Sequence, residues 1–366
     1  MEPRADTIAS YGATAAADRS HRTVDLKSRL RERARELGLA DLGFTTAEPL
    51  PRAEAYERWL AEGRNATMDW LHPGERTRPT DLMEGARTLI VAAARYARPE
   101  REPAPIAAYA QRGDYHRVLR QALRTLAAEL RALVPGSRTR LAVDTSPIRE
   151  REAAMRAGVG WIGKNTMVVH AQHGCYTLLG ELLWTEEIEP DPPAVDHCGE
   201  CRRCLDACPT AAFPAPYELD ARRCLGYWTI EHRGSIPPEL REALSTRAFG
   251  CDACLAACPF GGRTLFAESE LLPTSDALAH ASLRDLIVLA RDRFWKTFRA
   301  TPVERARRRG MLRNLLVAAG NSGDASLLAL VAPFADDPDA MIAEHARDAA
   351  ARLAATAPAG RTEPLP

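Results

Sequence analysis

The chain has 366 residues, 49 basic and 49 acidic side chains, 46% hydrophobic residues and nine cysteines. Zero net charge excludes naming a partner from global electrostatics, and the length allows two or three domains around a sizeable core. No apolar run reaches the ~18 residues of a membrane span; without an export signal, the cysteines point to a reducing cytoplasm rather than to disulfides.

Residues 1–21 are expected to be disordered. Between Val24 and Leu37, Leu26, Leu30, Ala34 and Leu37 recur at helical spacing, and Gly38 ends the pattern. A strand over Asp41–Thr46, a helix over Arg52–Glu62 and a proline-punctuated loop over Thr67–Pro79 follow. Thr88–Ala94 reads as a buried strand, Asp114–Leu133 as a long amphipathic helix and Thr139–Asp144 as another strand. Pro147–Ala157 reads as a helix with Ser146 at its N-cap, and Thr166–His170 and Tyr176–Leu183 as further strands. This gives an α+β or α/β domain over residues 22–193, closed by Glu189-Pro-Asp-Pro-Pro193. Gly158-Val-Gly160-Trp-Ile-Gly163-Lys164 matches a nucleotide-binding glycine pattern, but a helix precedes it and a strand follows, the reverse of what that chemistry needs. The glycines suit a tight turn or a close approach to something flat.

The next segment, residues 194–274, carries eight of the cysteines. Cys198, Cys201, Cys204 and Cys208-Pro209 have the C-x2-C-x2-C-x3-C-P spacing of a bacterial two-cluster ferredoxin, in which the fourth cysteine serves the other cluster. On that pattern one [4Fe–4S] cluster takes Cys198, Cys201, Cys204 and Cys258, and a second takes Cys208, Cys224, Cys251 and Cys254. Zinc ribbons are the weaker reading, because three evenly spaced cysteines before Cys-Pro are not a zinc spacing. The ninth, Cys175, is surplus and reads as a packed thiol without a role. Residues 275–356 read as helices, with Met311–Ala319, Ala325–Phe334 and Ala340–Ala354 paired by short turns in the manner of a HEAT-like array; residues 357–366 form a tail. Residues 291–313 hold nine basic side chains against two acidic ones, a local balance of +7 that suits a phosphate backbone. Arg305, Arg307, Arg308, Arg309 and Arg313 are its candidate nucleic-acid contacts; Trp295 and Phe298 are candidate stacking or core residues.

Taken together, several motifs resemble the epoxyqueuosine reductases, cobalamin-dependent iron–sulfur enzymes of queuosine tRNA modification. They are Val143-Asp144-Thr-Ser-Pro147 with Glu150-Arg151, Gly158–Thr166, the eight cysteines, Leu219–Cys224 with Thr229-Ile-Glu231, and Leu312-Arg-Asn314 with Gly320-Asn-Ser-Gly323. The chain departs from the family pattern in Tyr109–His116, where the glycine is shifted by one, and at His72-Pro-Gly. The resemblance implies a nitroreductase-like N-terminal domain holding base-off cobalamin. It implies too a tRNA substrate carrying epoxyqueuosine, from which the epoxide oxygen leaves as water with two electrons and two protons.

That chemistry needs an acid for the departing oxygen. Asp144, ending an apolar strand and matching the family's proposed proton donor, is the candidate; burial against the corrin is expected to raise its pKa. The cofactor pocket is expected to use Arg76, Val168 and Leu179, with Lys164 and Asn165 close by. An external donor supplies electrons, and a monomer carries every part. The competing readings are a cobalamin-dependent reductive dehalogenase and a non-enzymatic electron-transfer or cobalamin-handling protein.

Overall fold

A computed structural model describes residues 25–72, 78–98, 102–262 and 269–356. Arg76, the expected disorder of residues 1–21 and the tail 357–366 lie outside the described residues. The strands are β1 (Asp41–Thr46), β2 (Thr88–Arg95), β3 (Thr139–Ala142), β4 (Trp161–Ile162), β5 (Val168–Val169) and β6 (Thr177–Trp184). Four of them form an antiparallel sheet in the order β1-β2-β6-β3, and β4 pairs with β5.

The sheet is covered on both faces, which is why β2 is an apolar run rather than an alternating one. Ile90, Ala92 and Ala94 join one hydrophobic cluster, while Leu89, Val91 and Ala93 join the other. Helices α1 (residues 25–36), α2 (Ala53–Ala61) and α3 (Tyr115–Leu133) precede β3 in the chain. On the first face, α3 buries Leu119, Leu123, Leu126 and Leu130 at helical spacing against Leu182 and Trp184, with Leu30 and Ala34 of α1 beside them. Each leucine buried there stabilises the docked helix by about 1.5–3 kcal/mol. Asp114 caps α3 by accepting the His116 backbone N–H at 3.0 Å.

The second face is covered by α4 (Glu150–Arg156) through Ala153 and Ala154, with Leu50, Ile148, Val168 and Leu179 around them. In this otherwise apolar layer β6 places Glu181, 0% exposed, opposite Val91 and Ala142. The region before α4 corrects the sequence reading. Strand β3 stops at Ala142, and α4 starts at Glu150 with Arg149, not Ser146, at its N-cap. Between them the chain folds into tight turns: the Thr145 N–H bonds the Val143 carbonyl at 2.6 Å, and the Ile148 N–H bonds that of Ser146 at 2.8 Å. Asp144 sits at φ 53°, a left-handed conformation uncommon for a residue with a side chain. These turns use up the residues that the spacing would put in the helix's first turn, and they lift Asp144 out of the sheet.

The glycine run crosses its own chain. A Cβ on Gly160 would lie 2.6 Å from the Val169 carbonyl oxygen, so only glycine lets β4 approach β5 this closely. The Cys198–Pro259 segment contains two single-turn helices, Arg203–Asp206 and Ala253–Ala256, packed on each other; each leads into a Cys-Pro pair.

In the tail, α5 (Leu283–Asp292) opens with a reciprocal Ser282–Asp285 capping box. It packs on α6 (Arg307–Asn321), which packs on α7 (Ala340–Thr356). The segment expected as one helix over Ala325–Phe334 is instead a chain of short turns, Ala325–Leu327, Leu328–Val331 and Ala332–Asp336, interrupted by Pro333. Helix α6 is buried on all sides from Gly310 to Gly320. Among the described residues, no helix is long and apolar enough to cross a membrane.

Candidate active site

The lifted turn brings Asp144 to His116, in the first turn of α3. His116 Nε2 lies 3.0 Å from Asp144 Oδ2, and Nδ1 lies 2.7 Å from Asp114 Oδ1. Only the imidazolium carries N–H groups on both nitrogens, so this geometry suits a charged ring between two carboxylates. Burial alone would lower the His116 pKa, but the bonds to Asp144 and Asp114 outweigh it and hold it above the ordinary histidine value. The same contact corrects the expectation for Asp144. Burial raises its carboxyl pKa, yet the His116 hydrogen bond and charge, the Tyr115 hydroxyl and the nearby Arg305 together hold it below the ordinary aspartate value. Near neutral pH the proton of the couple therefore resides on His116, with Asp144 as its outward-facing partner; their side chains are 23% and 53% exposed.

Glu150 and Arg151, the first residues of α4, stand behind Asp144. The Asp144 N–H donates to Glu150 Oε1 at 2.6 Å. Arg151 Nη1 donates to the Thr166 carbonyl at 2.7 Å, and Asp144, Glu150, Cys224 and Cys254 all lie within its electrostatic reach. Asp144 and Arg151 keep open surface although protein surrounds them on most sides, which is the signature of side chains lining a deep cleft.

The eight thiols of the cysteine segment fall into two neighbourhoods. Burial, then the charges of Cys258 and Cys198, raise the Cys204 pKa. Burial, then Cys251 and Cys224, with Cys208 further off, push Cys254 well above the ordinary thiol value. Cys201 follows Cys198 in the same turn, its N–H bonded to the Cys198 carbonyl at 3.0 Å. Among the described residues neither set closes on a single ion. Four soft thiols per set are the donor chemistry that an iron–sulfur cube takes.

The glycine turn is tied to these loops rather than left free. Lys164 Nζ donates to the carbonyls of Gly199 at 2.5 Å and Cys201 at 3.0 Å. Asn165 is buried and reaches the Cys254 carbonyl at 3.4 Å and the Cys175 sulfur at 3.6 Å. Both expected cofactor neighbours thus hold the cluster loops against the N-terminal sheet. Val168 and Leu179 are buried together in the layer that carries α4. Cys175 is fully buried and donates toward, or accepts from, Cys258.

The basic stretch is less uniform than its composition. Arg313 is 0% exposed and donates to the carbonyls of Trp228, His232 and Gly234, so its expected place among the tRNA contacts is corrected: its guanidinium is consumed inside the protein. Arg305 pairs with Glu231 at 2.8 Å and stacks over Trp70 at 5.7 Å; Arg309 pairs with Asp339. Arg307 and Arg308 stand exposed at the start of α6 with no ion pair among the described residues. Phe298 is core, whereas Trp295 is 56% exposed.

His116, Glu150 and Trp70 are the site members that composition did not single out. The first two stood within or beside the quoted motifs, but their roles depend on partners far away in sequence.

Comparison with known proteins identifies a family for the chain. A family model described as epoxyqueuosine reductase QueG, DUF1730, matches residues 76–145, and a 4Fe-4S double cluster binding domain matches residues 197–261. An epoxyqueuosine reductase of Xanthomonas campestris pv. campestris is 36% identical over 336 residues, spanning 88% of this chain and 94% of that one. A solved epoxyqueuosine reductase bound to an epoxyqueuosine-modified tyrosine tRNA stem loop superposes with a TM-score of 0.79 at 29% identity, over 90% of this chain and 91% of that one. The Bacillus subtilis enzyme, captured with its catalytic aspartate loop swung out of the active site, superposes at 0.76 with 29% identity over the same shares. Similarity of this extent, in sequence and in fold, places this chain in the epoxyqueuosine reductase family.

Proposed function

We propose that this chain reduces epoxyqueuosine to queuosine at the tRNA wobble position, releasing the epoxide oxygen as water. The observation that carries the reading is Arg151, whose guanidinium lies within electrostatic reach both of the candidate acid Asp144 and of Cys224 and Cys254, thiols of the second cysteine set. An electron route and a proton source converge there. Family membership supports the substrate, and the tRNA stem loop bound by a relative supports its form.

In this reading residues 22–193 hold the cofactor in a nitroreductase-like domain. Residues 194–274 carry two [4Fe–4S] clusters, on Cys198, Cys201, Cys204 and Cys258 and on Cys208, Cys224, Cys251 and Cys254. Residues 275–356 form a HEAT-like tRNA platform. Val168 and Leu179 would line the apolar wall that holds cobalamin, which when bound would supply a strong reductant for the substrate carbon. The protein does the rest. The apolar layer excludes water, Lys164 and Asn165 fix the cluster loops, and the His116–Asp144 couple brings a proton to the departing oxygen. Arg305 and Trp70 stand near Asp144, where the base arrives, and Arg307 and Arg308 meet the backbone. An external donor supplies electrons to a monomer in the cytoplasm. The test is anaerobic reconstitution with iron, sulfide and cobalamin, followed by nucleoside analysis of tRNA that carries epoxyqueuosine. Queuosine is the expected product; an unchanged epoxide with fully loaded clusters and cobalamin would overturn the reading.

A further inference from the structure

Glu181 has no ordinary explanation. It is a carboxyl at the centre of a sheet, 0% exposed, flanked in the ladder by Val91 and Ala142. Neither of its oxygens meets a donor from the rest of the described protein. Its polar neighbour is a second carboxyl, Glu150, within hydrogen-bonding reach. Two carboxylates in contact in an apolar layer cannot both be ionised without a large cost, whereas a shared proton turns the contact into a short, strong hydrogen bond. We infer that Glu150 and Glu181 hold one proton between them, and that Glu150, which opens onto the cleft, delivers it as the second proton of the reaction.

The inference rests on the proposed function, which consumes two protons. Both C–O bonds of the epoxide break, a carbon–carbon double bond forms, and the oxygen accepts two protons to leave as water; the two electrons come through the clusters from the external donor. His116 and Asp144 hold one proton. Glu150, whose Oε1 also accepts the Asp144 N–H, stands beside them with the other. Delivery leaves the pair doubly charged in an apolar layer, so it recaptures a proton from cleft water as product departs. Glu181 is then a positioning residue: buried with no other donor in reach, it holds the shared proton against Glu150.

The surroundings favour this assignment. Burial, followed by the Asp144 charge, pushes Glu150 up to about 7, against the Asp144 N–H, the bond to Glu181 and the Arg151 charge, which all pull down. Burial and then Glu150 hold Glu181 well above the ordinary glutamate value, with Asp144 adding to it. From α3, the Tyr115 hydroxyl and His116 reach Asp144 rather than the pair, and β2 and β3 offer only Val91 and Ala142.

The experiment uses the full, cluster- and cobalamin-loaded chain and its Glu150→Gln and Glu181→Gln variants. Infrared spectra of wild type are expected to show a protonated-carboxyl stretch at neutral pH that shifts in D2O, is lost in Glu181→Gln, and persists at a shifted frequency in Glu150→Gln, where burial still keeps Glu181 protonated. In anaerobic single turnover on epoxyqueuosine-containing tRNA, Glu150→Gln is expected to lose about tenfold or more at every pH. Glu181→Gln is expected to move the alkaline limb to lower pH by about one unit or more, since it replaces a like charge with an amide donor. Absence of the carboxyl band overturns the shared proton. A band with pH profiles that overlay wild type overturns the delivery role. If wild type itself converts no epoxyqueuosine while the band behaves as described, the proposed function fails and the shared proton stands as a property of the fold.

Discussion

Replacing His116 with glutamine removes the proton store but leaves Asp144 in place, and the structure fixes what should follow. On the proposed reading the wild-type donor is a couple whose proton sits on an imidazole held above the ordinary histidine value by two carboxylates. Without the ring, Asp144 loses the bond and charge that hold it down, while burial still raises it. The donor then becomes an aspartic acid, whose ordinary pKa lies about 2.6 below that of histidine. At pH 7.5 its protonated fraction falls by about 10²-fold, so single-turnover conversion is expected to fall by a similar factor and to recover as the pH is lowered toward 5. The sign follows from the direction of each shift: the store is filled below its pKa, and that pKa moves down. Asp144→Asn, by contrast, removes the group that faces the cleft. It is expected to cost about 10²–10⁴ at every pH, with no recovery in acid. The assay is quenched single turnover with a strong chemical reductant in excess, so that electron supply does not limit. Should His116→Gln match wild type within about threefold at pH 7.5, the proton is not stored on that ring and the couple is misassigned.

Two further outcomes separate the roles within the basic stretch. Arg313→Met strands three buried carbonyls, those of Trp228, His232 and Gly234, at about 1–3 kcal/mol each. Part of that is returned, because burial pulls the Arg313 guanidinium down to about 10 and methionine carries no such cost. The net loss is expected to be about 2–5 kcal/mol, seen as a lower urea midpoint and faster amide exchange where α6 meets residues 228–234; an unchanged midpoint would refute the structural role. Arg307→Glu with Arg308→Glu is expected to leave stability alone. It should weaken tRNA binding and flatten the slope of log K against log salt by about 1.5, two contacts' worth, and an unaltered slope would remove these residues from the interface.

What could be read from the sequence was what depends on neighbours in the chain. The double-cluster segment was legible because a turn of two intervening residues is enough to wrap a cube, and β1 because an apolar run between polar ends has few alternatives. Asp144 was legible as a position but not as a charge. Its ionisation is decided by His116, 28 positions earlier, and the helix thought to begin beside it is displaced by turns that no propensity announces. Glu181 left one mark, a charged residue within Thr177–Trp184, which on its own reads as an edge or a surface position. Only the sheet order puts that strand between two others, where an unpaired carboxyl demands a proton.

Arg313 shows the same limit from the other direction. Charge density along the chain counts an arginine whichever way it faces, and α6 is a helix whose first turn is exposed and whose remainder is enclosed. Its exposed Arg307 and Arg308 and its buried Arg313 lie within two turns of each other. One helix therefore both presents charge to the solvent and grips the segment that follows Cys224. The Arg305–Glu231 pair ties its approach to that loop as well, and Asp144 feels the charge of Arg305. The platform that would receive RNA is thus fastened directly to the electron-carrying segment and lies within electrostatic reach of the proton donor. In such an arrangement the orientation of the substrate over the cleft is fixed by α6 itself, rather than by a flexible joint between separate binding and catalytic units.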